Sequence, residues 1–408
     1  MKDRLLVICS FFVIFAFSSV DSAISPMVRE LKDHFSIPMN EILWLISWCT
    51  LGIVLGVFIG PAVTSSFKIL RVVGLAVFGL FLSLILFLFT SNFHLAIASR
   101  LVFGLSSGLL ASCFWWITYY GVSKEYYQAM VAVLMSARPL ATAIGVPMAG
   151  LIAAKYEWKW SFWIFASMIA VFGLMLFFTL FGQKAEDSEK LSIKKLFSDY
   201  VKAFKIPHAK RYYLGLTINR MCYFGFYSFA GIWFIEYYAL SLIEISSVLF
   251  FIGLGEAVVN FAVPSALRRF GHQRLFVGTI VLSGILFPIL ISGYFRLSIA
   301  VVLISIFMLL DRVYIMAAVV SIPQMFPQAQ NKTVFGSLNT LTAWTGLTII
   351  SWLQGAYLQK LGLVPIQHFL TLAFIVGSIL IYQVQKATVF ATKTMPVDEK
   401  PRTVRSDN

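Results

Sequence analysis

The sequence predicts an all-α integral membrane protein with twelve transmembrane helices in two pseudo-symmetric six-helix bundles, and three observations lead to that fold class. Of the 408 residues, 59% are hydrophobic and 12% are charged, with a mean hydropathy of +0.85. Twelve apolar runs are long enough to cross a bilayer, and a basic hydrophilic segment divides them six and six. Soluble domains carry roughly 25% charged residues. The composition therefore excludes a soluble enzyme, a nucleic-acid-binding protein and a disordered chain.

The twelve apolar runs define the predicted spans in chain order. A membrane-crossing helix needs ~20 mostly apolar residues. The runs are 5–25, 42–64, 70–90, 95–118, 129–153, 160–182, 212–235, 245–266, 274–295, 297–320, 333–357 and 364–385. Lys2 and Arg4 precede the first run, as basic residues do in a signal peptide. This run is longer than a signal peptide's apolar core and contains Asp21, so we expect a retained helix.

Lysine and arginine are distributed unevenly between the two sides of the membrane. With both termini inside, the inner segments carry 22 of the 32 basic residues, the outer loops carry 6 and the spans carry 4. Because cytoplasmic loops collect Lys and Arg, this asymmetry predicts cytoplasmic termini. It also explains most of the net charge of +14 without a nucleic-acid partner. The compact loops and the lack of a large outer domain favour a bacterial inner (cytoplasmic) membrane.

A basic segment sets the predicted domain boundaries. The N-terminal bundle is 1–182, the cytoplasmic linker is 183–211, the C-terminal bundle is 212–386, and 387–408 is a cytoplasmic tail. Apolar residues at helical spacing between 191 and 204 predict an amphipathic helix on the inner membrane surface. A solvated linker with no further role fits the same residues equally well.

Five short motifs stand at particular places along the spans. Residues 21–26 (DSAISP) end the first span with an acid and a proline, and 100–108 (RLVFGLSSG) place one arginine and two glycines in the fourth. Residues 145–151 (GVPMAGL) end the fifth span, 158–162 (WKWSF) open the sixth, and 264–274 (PSALRRFGHQR) follow the eighth. In order and placement they resemble the major facilitator superfamily of transporters, in particular its twelve-helix drug:proton antiporter branch. The resemblance implies a central cavity between two bundles that rock about a midplane site.

The loop between the second and third spans departs from the family's inner-loop motif. The acidic, arginine and glycine positions hold Thr64, Ser65 and Phe67, and the second copy holds Arg268 at its acidic position. In the family this motif keeps the inner gate closed by charge pairing. Its loss predicts altered gating, and it is the best support for a non-transporting sensor built on a transporter scaffold.

Seven ionisable residues lie within the predicted spans. An isolated charge at the bilayer centre costs at least ~2.5–3.5 kcal/mol. These side chains must therefore pair with each other or face a water-filled cavity. The seven are Asp21, Arg100, Arg138, Arg220, Glu256, Asp311 and Arg312.

Depth along the helices indicates which charges can meet. At ~1.5 Å per residue, Asp21 and Arg100 both lie in the outer third of the membrane. The family resemblance implies that the first and fourth helices line the cavity. We therefore expect Asp21 to carry a proton and Arg100 to keep its carboxylate ionised until substrate or conformation intervenes. A static ion pair, or an Asp21 that is merely solvated near the outer surface, are the alternatives.

Further charges suggest contacts across the bundles. Arg138 and Glu256 both lie near the midplane, which predicts either a bridge between the two halves or an Arg138 that binds an anionic substrate group. Arg220 and Asp311 lie at similar depth and repeat the acid–arginine pair with the signs exchanged. Asp311 and Glu256 therefore join the proton-coupling candidates. Arg312 points away from its neighbour Asp311 and either extends towards the inner membrane surface or reaches the cavity.

Several uncharged residues complete the predicted substrate site with Arg138, Arg220 and Arg312. They share helix faces with the buried charges or are polar within spans, although ordinary helix packing fits each aromatic residue as well. The glycines of the fourth span are better explained by close helix approach. The uncharged candidates are Trp115, Phe224, Tyr227, Asn219 and Asn260.

These observations predict a secondary active transporter for a small organic solute. Four arginines against three acids favour an anionic or zwitterionic solute, and the motifs favour proton-coupled export. Proton-coupled or facilitated uptake is the alternative, besides the sensor. The sequence contains no Walker motif and no metal-ligand spacing, so we expect no cofactor and no enzymatic activity. The expected partners are the solute, protons and the lipid bilayer, and the expected state is a monomer.

Overall fold

The computed structural model describes residues 2–24, 27–37, 41–181, 193–240, 242–292, 295–325 and 332–394. The helices of the first half are α1 (Lys2–Ala23), α2 (Val28–Phe35), α3 (Leu43–Ser66), α4 (Ile69–Phe89), α5 (Phe93–Trp116), α6 (Lys124–Leu140), α7 (Val146–Lys155) and α8 (Trp158–Leu180). A linker helix follows, α9 (Ile193–Lys205). The helices of the second half are α10 (Ala209–Tyr238), α11 (Leu242–Phe270), α12 (His272–Ile291), α13 (Leu297–Met325), α14 (Lys332–Leu361) and α15 (Leu363–Thr394).

The long helices take the places of the twelve predicted spans, with α6 and α7 together forming the fifth. Within the described residues, nine spans can cross a membrane by length and composition alone. Helices α10, α11 and α14, of 30, 29 and 30 residues, take the other three positions. The short helix α2 was not predicted. It buries Leu31 and Phe35, which are one helical turn apart, against the first half.

A π-helical turn, Ala141–Gly145, joins α6 to α7 within the fifth span. Pro139 stands just before this turn and Pro147 just after it. A proline removes one backbone hydrogen bond and its ring displaces the carbonyl four residues earlier. Such interruptions are accommodated by a local π-helical turn. The bend expected from these two prolines therefore takes this form, three residues after Arg138.

Glycines allow α3 and α5 to cross with their backbones in contact. A Cβ added to Gly104 would contact the carbonyl oxygen of Cys49 on α3. Gly108 meets α3 in the same way, and Gly52 and Gly56 of α3 meet the backbone of α5. The expectation that the fourth-span glycines serve close helix approach is confirmed. This crossing fixes Arg100, one turn before Gly104, against the wall of α3.

We expect Gly104→Val to destabilise the first half by at least about 3 kcal/mol, because the added side chain overlaps rigid backbone and not a movable side chain. The matched control is Gly278→Val in α12, where nothing lies within 4 Å of the added Cβ. Thermal unfolding in detergent checks the prediction. Equal unfolding temperatures for the two variants would contradict it.

The linker helix α9 packs onto α3 of the first half. The Tyr200 ring stacks on the Phe58 ring of α3 with centroids 4.9 Å apart, and the Tyr200 hydroxyl donates to the Phe58 carbonyl oxygen at 3.0 Å. Phe197 and Val201 of α9 remain exposed. The predicted helix is present from Ile193, and its docking on α3 argues against a merely solvated linker. Residues 183–192 of the predicted linker lie outside the described residues.

Candidate functional site

Asp21 of α1 lies between two arginines, and these three residues form what we call the N-terminal charge cluster. Its Oδ1 lies 3.2 Å from Nη2 of Arg100, and its Oδ2 lies 3.2 Å from Nη2 of Arg138. The Cys49 thiol also donates to Oδ1, at 3.5 Å. The structure thus brings Asp21 and Arg100 together, as depth along the helices suggests. It adds Arg138, for which the sequence predicted either a bridge to Glu256 or the binding of an anionic substrate group.

The local sequence explains how Asp21 reaches Arg138. A Cβ at Gly145 would contact the Ser19 hydroxyl, so this glycine allows the π-helical turn to approach α1 closely. Gly145 belongs to the antiporter-like motif of the fifth span. Gly145 meets α1 at Ser19, which lies two residues before Asp21. The fifth span is therefore held against α1 close to Asp21.

The two arginines of the N-terminal charge cluster have different surroundings. Arg100 is 1% exposed, and its Nε donates to the Leu45 carbonyl oxygen at 3.4 Å. Its guanidinium lies 5.1 Å from the centre of the Phe103 ring. The Arg138 side chain is 30% exposed. Arg100 is therefore a fixed anchor, and Arg138 is the member of the cluster that a solute can reach.

Arg138 also contacts the second half of the protein. Its guanidinium lies 4.2 Å from the centre of the Trp344 ring of α14, which is within the range of a cation–π interaction. Sequence analysis missed Trp344. Its position along the helix was a usable signal, because the fifth and eleventh spans are predicted to run in the same direction and the two residues lie 14 and 12 positions from the starts of α6 and α14. One carboxylate is thereby linked through Arg138 to the opposite half.

A second group of charges, the C-terminal charge cluster, comprises Arg220, Glu256, Asp311 and Arg312. Asp311 Oδ2 lies 2.9 Å from Nη2 of Arg312 and 3.9 Å from Nη1 of Arg220. Glu256 Oε2 lies 3.8 Å from Nε of Arg312. The Tyr223 hydroxyl donates to Glu256 Oε1 at 2.6 Å. Both acids and Arg220 are buried. Two carboxylates face two guanidinium groups, so the formal charges of the cluster balance.

The predicted Arg138–Glu256 bridge is absent from this conformation. Each residue finds an oppositely charged partner inside its own half, Asp21 for Arg138 and Arg312 for Glu256. Arg220 and Asp311 do approach each other, as predicted. Arg312 and Asp311 leave the helix in different directions, but the long arginine side chain bends back to its neighbour.

The uncharged residues predicted to line the substrate site make different kinds of contact. Trp115 donates its indole N–H to the Thr340 hydroxyl of α14 at 3.3 Å, which connects the two halves. Asn219 donates to the Ser378 hydroxyl at 3.2 Å and holds α10 to α15, so it is a packing residue in this conformation. Phe224 packs edge-on against Tyr223 beside the C-terminal charge cluster. The side chains of Tyr227 and Asn260 lie outside the described part of the chain.

The fold and the paired intramembrane charges are those of a multi-pass transport protein, and comparison with known proteins identifies the family. Residues 6–350 match the family model of the Major Facilitator Superfamily. The chain belongs to this family of membrane transporters, which confirms the resemblance drawn from its motifs and the predicted twelve-helix fold class.

Its relatives are distant. The chain is 21% identical over 279 residues to the uncharacterized MFS-type transporter YceJ of Bacillus subtilis (strain 168), covering 68% of this chain and 70% of YceJ. It is 24% identical over 192 residues to the hexuronate transporter of the same organism, covering 46% and 45% of the two chains. The human organic anion transporter MFSD10 (TETRAN) has a similar fold, with a TM-score of 0.70, 14% identity, and coverage of 93% of this chain and 99% of that one.

Proposed function

We propose that this protein moves a small organic anion across the membrane by alternating access, coupled to protons. One observation carries the proposal: Asp21 bridges two arginines, and the more exposed of them, Arg138, also contacts Trp344 of the opposite half. A carboxylate that changes its protonation there changes the charge of a site shared by both halves. Such a link between a titratable group and both halves supports the coupling of proton binding to alternating access.

The charge balance supports an anionic solute. The N-terminal charge cluster holds two arginines and one carboxylate, and the C-terminal charge cluster holds two arginines and two carboxylates. The surplus positive charge therefore lies at Arg138, where a planar guanidinium can bind a carboxylate through two parallel hydrogen bonds. The names of two similar proteins agree with this chemistry, since one carries hexuronate and the other carries organic anions. Zwitterions with a carboxylate fit the same site.

The geometry favours binding of the proton and the anion together. Asp21 and a bound anion compete for the same Arg138 guanidinium. Protonation of Asp21 removes the competitor, so it strengthens anion binding, and by thermodynamic linkage the anion strengthens proton binding to the same degree. An inward proton gradient would then drive uptake of the anion. The competition between Asp21 and the anion for Arg138 therefore supports cotransport into the cell, whereas the sequence motifs favoured export.

Export by exchange for protons is the second candidate. Its support is the antiporter-like motif 145–151, whose Gly145 packs the fifth span against α1 beside Asp21. In this scheme the anion leaves the site when Asp21 takes up its proton. The two candidates predict opposite responses to a proton gradient.

The C-terminal charge cluster is the proposed counterpart in the second half. There too an aspartate, Asp311, lies between two arginines, Arg220 and Arg312. Glu256 balances the additional arginine. Asp311 and Glu256 are proposed as proton-coupling residues secondary to Asp21, and Arg312, which is less buried than Arg220, is proposed to contact the solute. The protein is proposed to work as a monomer in a bacterial inner membrane, with both termini cytoplasmic.

Flux into proteoliposomes tests the proposal. Purified protein is reconstituted with valinomycin and equal potassium on both sides, and uptake of radiolabelled hexuronates and other small carboxylates is measured under imposed pH gradients. Cotransport predicts accumulation when the outside is acidic, and exchange predicts accumulation when the inside is acidic. Equal flux under both gradients for every carboxylate that is carried would contradict proton coupling. Protein-free liposomes provide the background.

A further inference from the structure

A crevice between the two halves lies away from both charge clusters, towards the cytoplasmic ends of the helices. Its volume is about 560 Å³. One wall belongs to α3 of the first half, the opposite wall belongs to α10 and α14 of the second half, and α9 covers it from the linker side. The crevice therefore exists only while these helices keep their present arrangement.

The walls of the crevice are mostly apolar and open on one side. Leu55 of α3 and Leu214 of α10 line it, and they are 45% and 55% exposed. The lining includes no acidic residue. The wall contributed by α14 runs from Leu338 to Thr345, a rise of ~10 Å along the helix. An opening of this kind on a membrane-spanning surface suits an acyl chain better than a water-soluble anion.

The cytoplasmic end of the crevice is basic. Lys210 lines it, and Arg211 follows in the same first turn of α10. Both side chains are exposed, as is that of Lys205 at the end of α9. The first turn of a helix also presents unpaired backbone N–H groups and the positive end of the helix dipole. A phosphate at this level would meet positive charge from side chains and backbone together.

We propose that the crevice binds an anionic phospholipid of the inner leaflet. The phosphate lies at Lys210 and Arg211, and an acyl chain enters between α3 and α14. The basic residues at the end of this apolar crevice complement a lipid phosphate whose acyl chains lie along its apolar wall. Because the walls belong to both halves, a bound lipid stabilises this arrangement of the halves over one in which α3 and α14 separate. Anionic lipid thereby becomes a regulator of the transport cycle, whichever solute is carried.

The test compares lipid binding by three versions of the full-length protein. Native mass spectrometry measures retention of phosphatidylglycerol and of phosphatidylcholine by the wild type, by Lys210→Ala/Arg211→Ala, and by the control Lys68→Ala/Arg71→Ala. The control removes two exposed basic residues from the cytoplasmic end of α4. Loss of two lysine or arginine contacts to an anionic lipid lowers affinity on the order of tenfold or more. We expect this loss for phosphatidylglycerol in the first variant only.

A second variant tests the apolar part of the site. Thr345→Phe places a ring inside the crevice while leaving Lys210 and Arg211 unchanged. We expect it to bind phosphatidylglycerol at least fivefold more weakly than the wild type. It should also lose the rise in unfolding temperature that phosphatidylglycerol gives the wild type. Unchanged phosphatidylglycerol binding in both variants, or equal retention of phosphatidylcholine by the wild type, would overturn the proposal.

Discussion

Asp21→Asn is expected to abolish proton-driven accumulation of the anion while preserving exchange of labelled for unlabelled anion. Asparagine has nearly the same shape as protonated aspartic acid but never becomes negative. Arg138 then lacks its competing carboxylate at every pH, so the anion binds without a proton. A hydrogen bond to a charged group contributes about 1.5–3 kcal/mol, so we expect anion affinity at neutral pH to rise on the order of tenfold or more. Affinity should also become independent of pH.

The variant carries a stability cost that must be measured alongside transport. Arg100 is 1% exposed and loses its charged partner. Removing one member of a buried ion pair costs about 3–5 kcal/mol, and the asparagine carbonyl recovers part of this by accepting a hydrogen bond. The matched control is Asp33→Asn on α2, an exposed aspartate of the same charge. The control should accumulate the anion like the wild type, and proton-driven accumulation that also survives in Asp21→Asn would assign coupling to another acid.

Arg138→Ala is expected to have the other large effect, a loss of anion binding. The change removes the exposed guanidinium of the N-terminal charge cluster and its contact with Trp344. Two charge-assisted hydrogen bonds to a carboxylate disappear, so affinity should fall on the order of a hundredfold. Arg138→Lys keeps the charge but loses the planar fork and the stacking geometry. We therefore expect it to recover only part of the lost affinity.

Equilibrium binding of labelled anion in detergent separates this effect from coupling. Arg138→Ala should bind weakly at every pH, whereas Asp21→Asn should bind tightly at every pH. Trp344→Leu is the companion variant, because it leaves both ion pairs of Asp21 in place and removes the contact between the halves. We expect it to bind the anion normally and to transport it slowly. Normal anion affinity in Arg138→Ala would remove this arginine from the solute site.

The sequence predicted the helices well because hydropathy and length decide what crosses a bilayer. The sequence also predicted the contact between Asp21 and Arg100, since depth places both in the outer third of helices that the family resemblance puts around one cavity. Gly104 and Gly108 were assigned correctly because a glycine pair four residues apart has one common use, close helix approach.

The partner of Arg138 could not be predicted from depth. Several charges lie near the midplane, and depth along a helix does not fix the direction in which a side chain leaves it. In the structure Gly145 lets the fifth span approach α1 closely, and Arg138 of that span pairs with Asp21 of α1. Glu256 likewise has Tyr223 as a donor, and an uncharged hydroxyl gives no charge signal in the sequence. Which helix backbones approach each other closely depends on how pairs of helices pack. A single amino-acid sequence does not reveal this pairing.

The central claim is that the proton and the anion bind together through Asp21 and Arg138, and proton uptake on ligand binding tests it most directly. Purified wild-type protein in weakly buffered detergent solution is mixed with a carboxylate that it carries, and the pH is recorded. We predict net uptake of protons by the wild type and none by Asp21→Asn. Net release of protons by the wild type, or equal uptake by Asp21→Asn, would contradict the account.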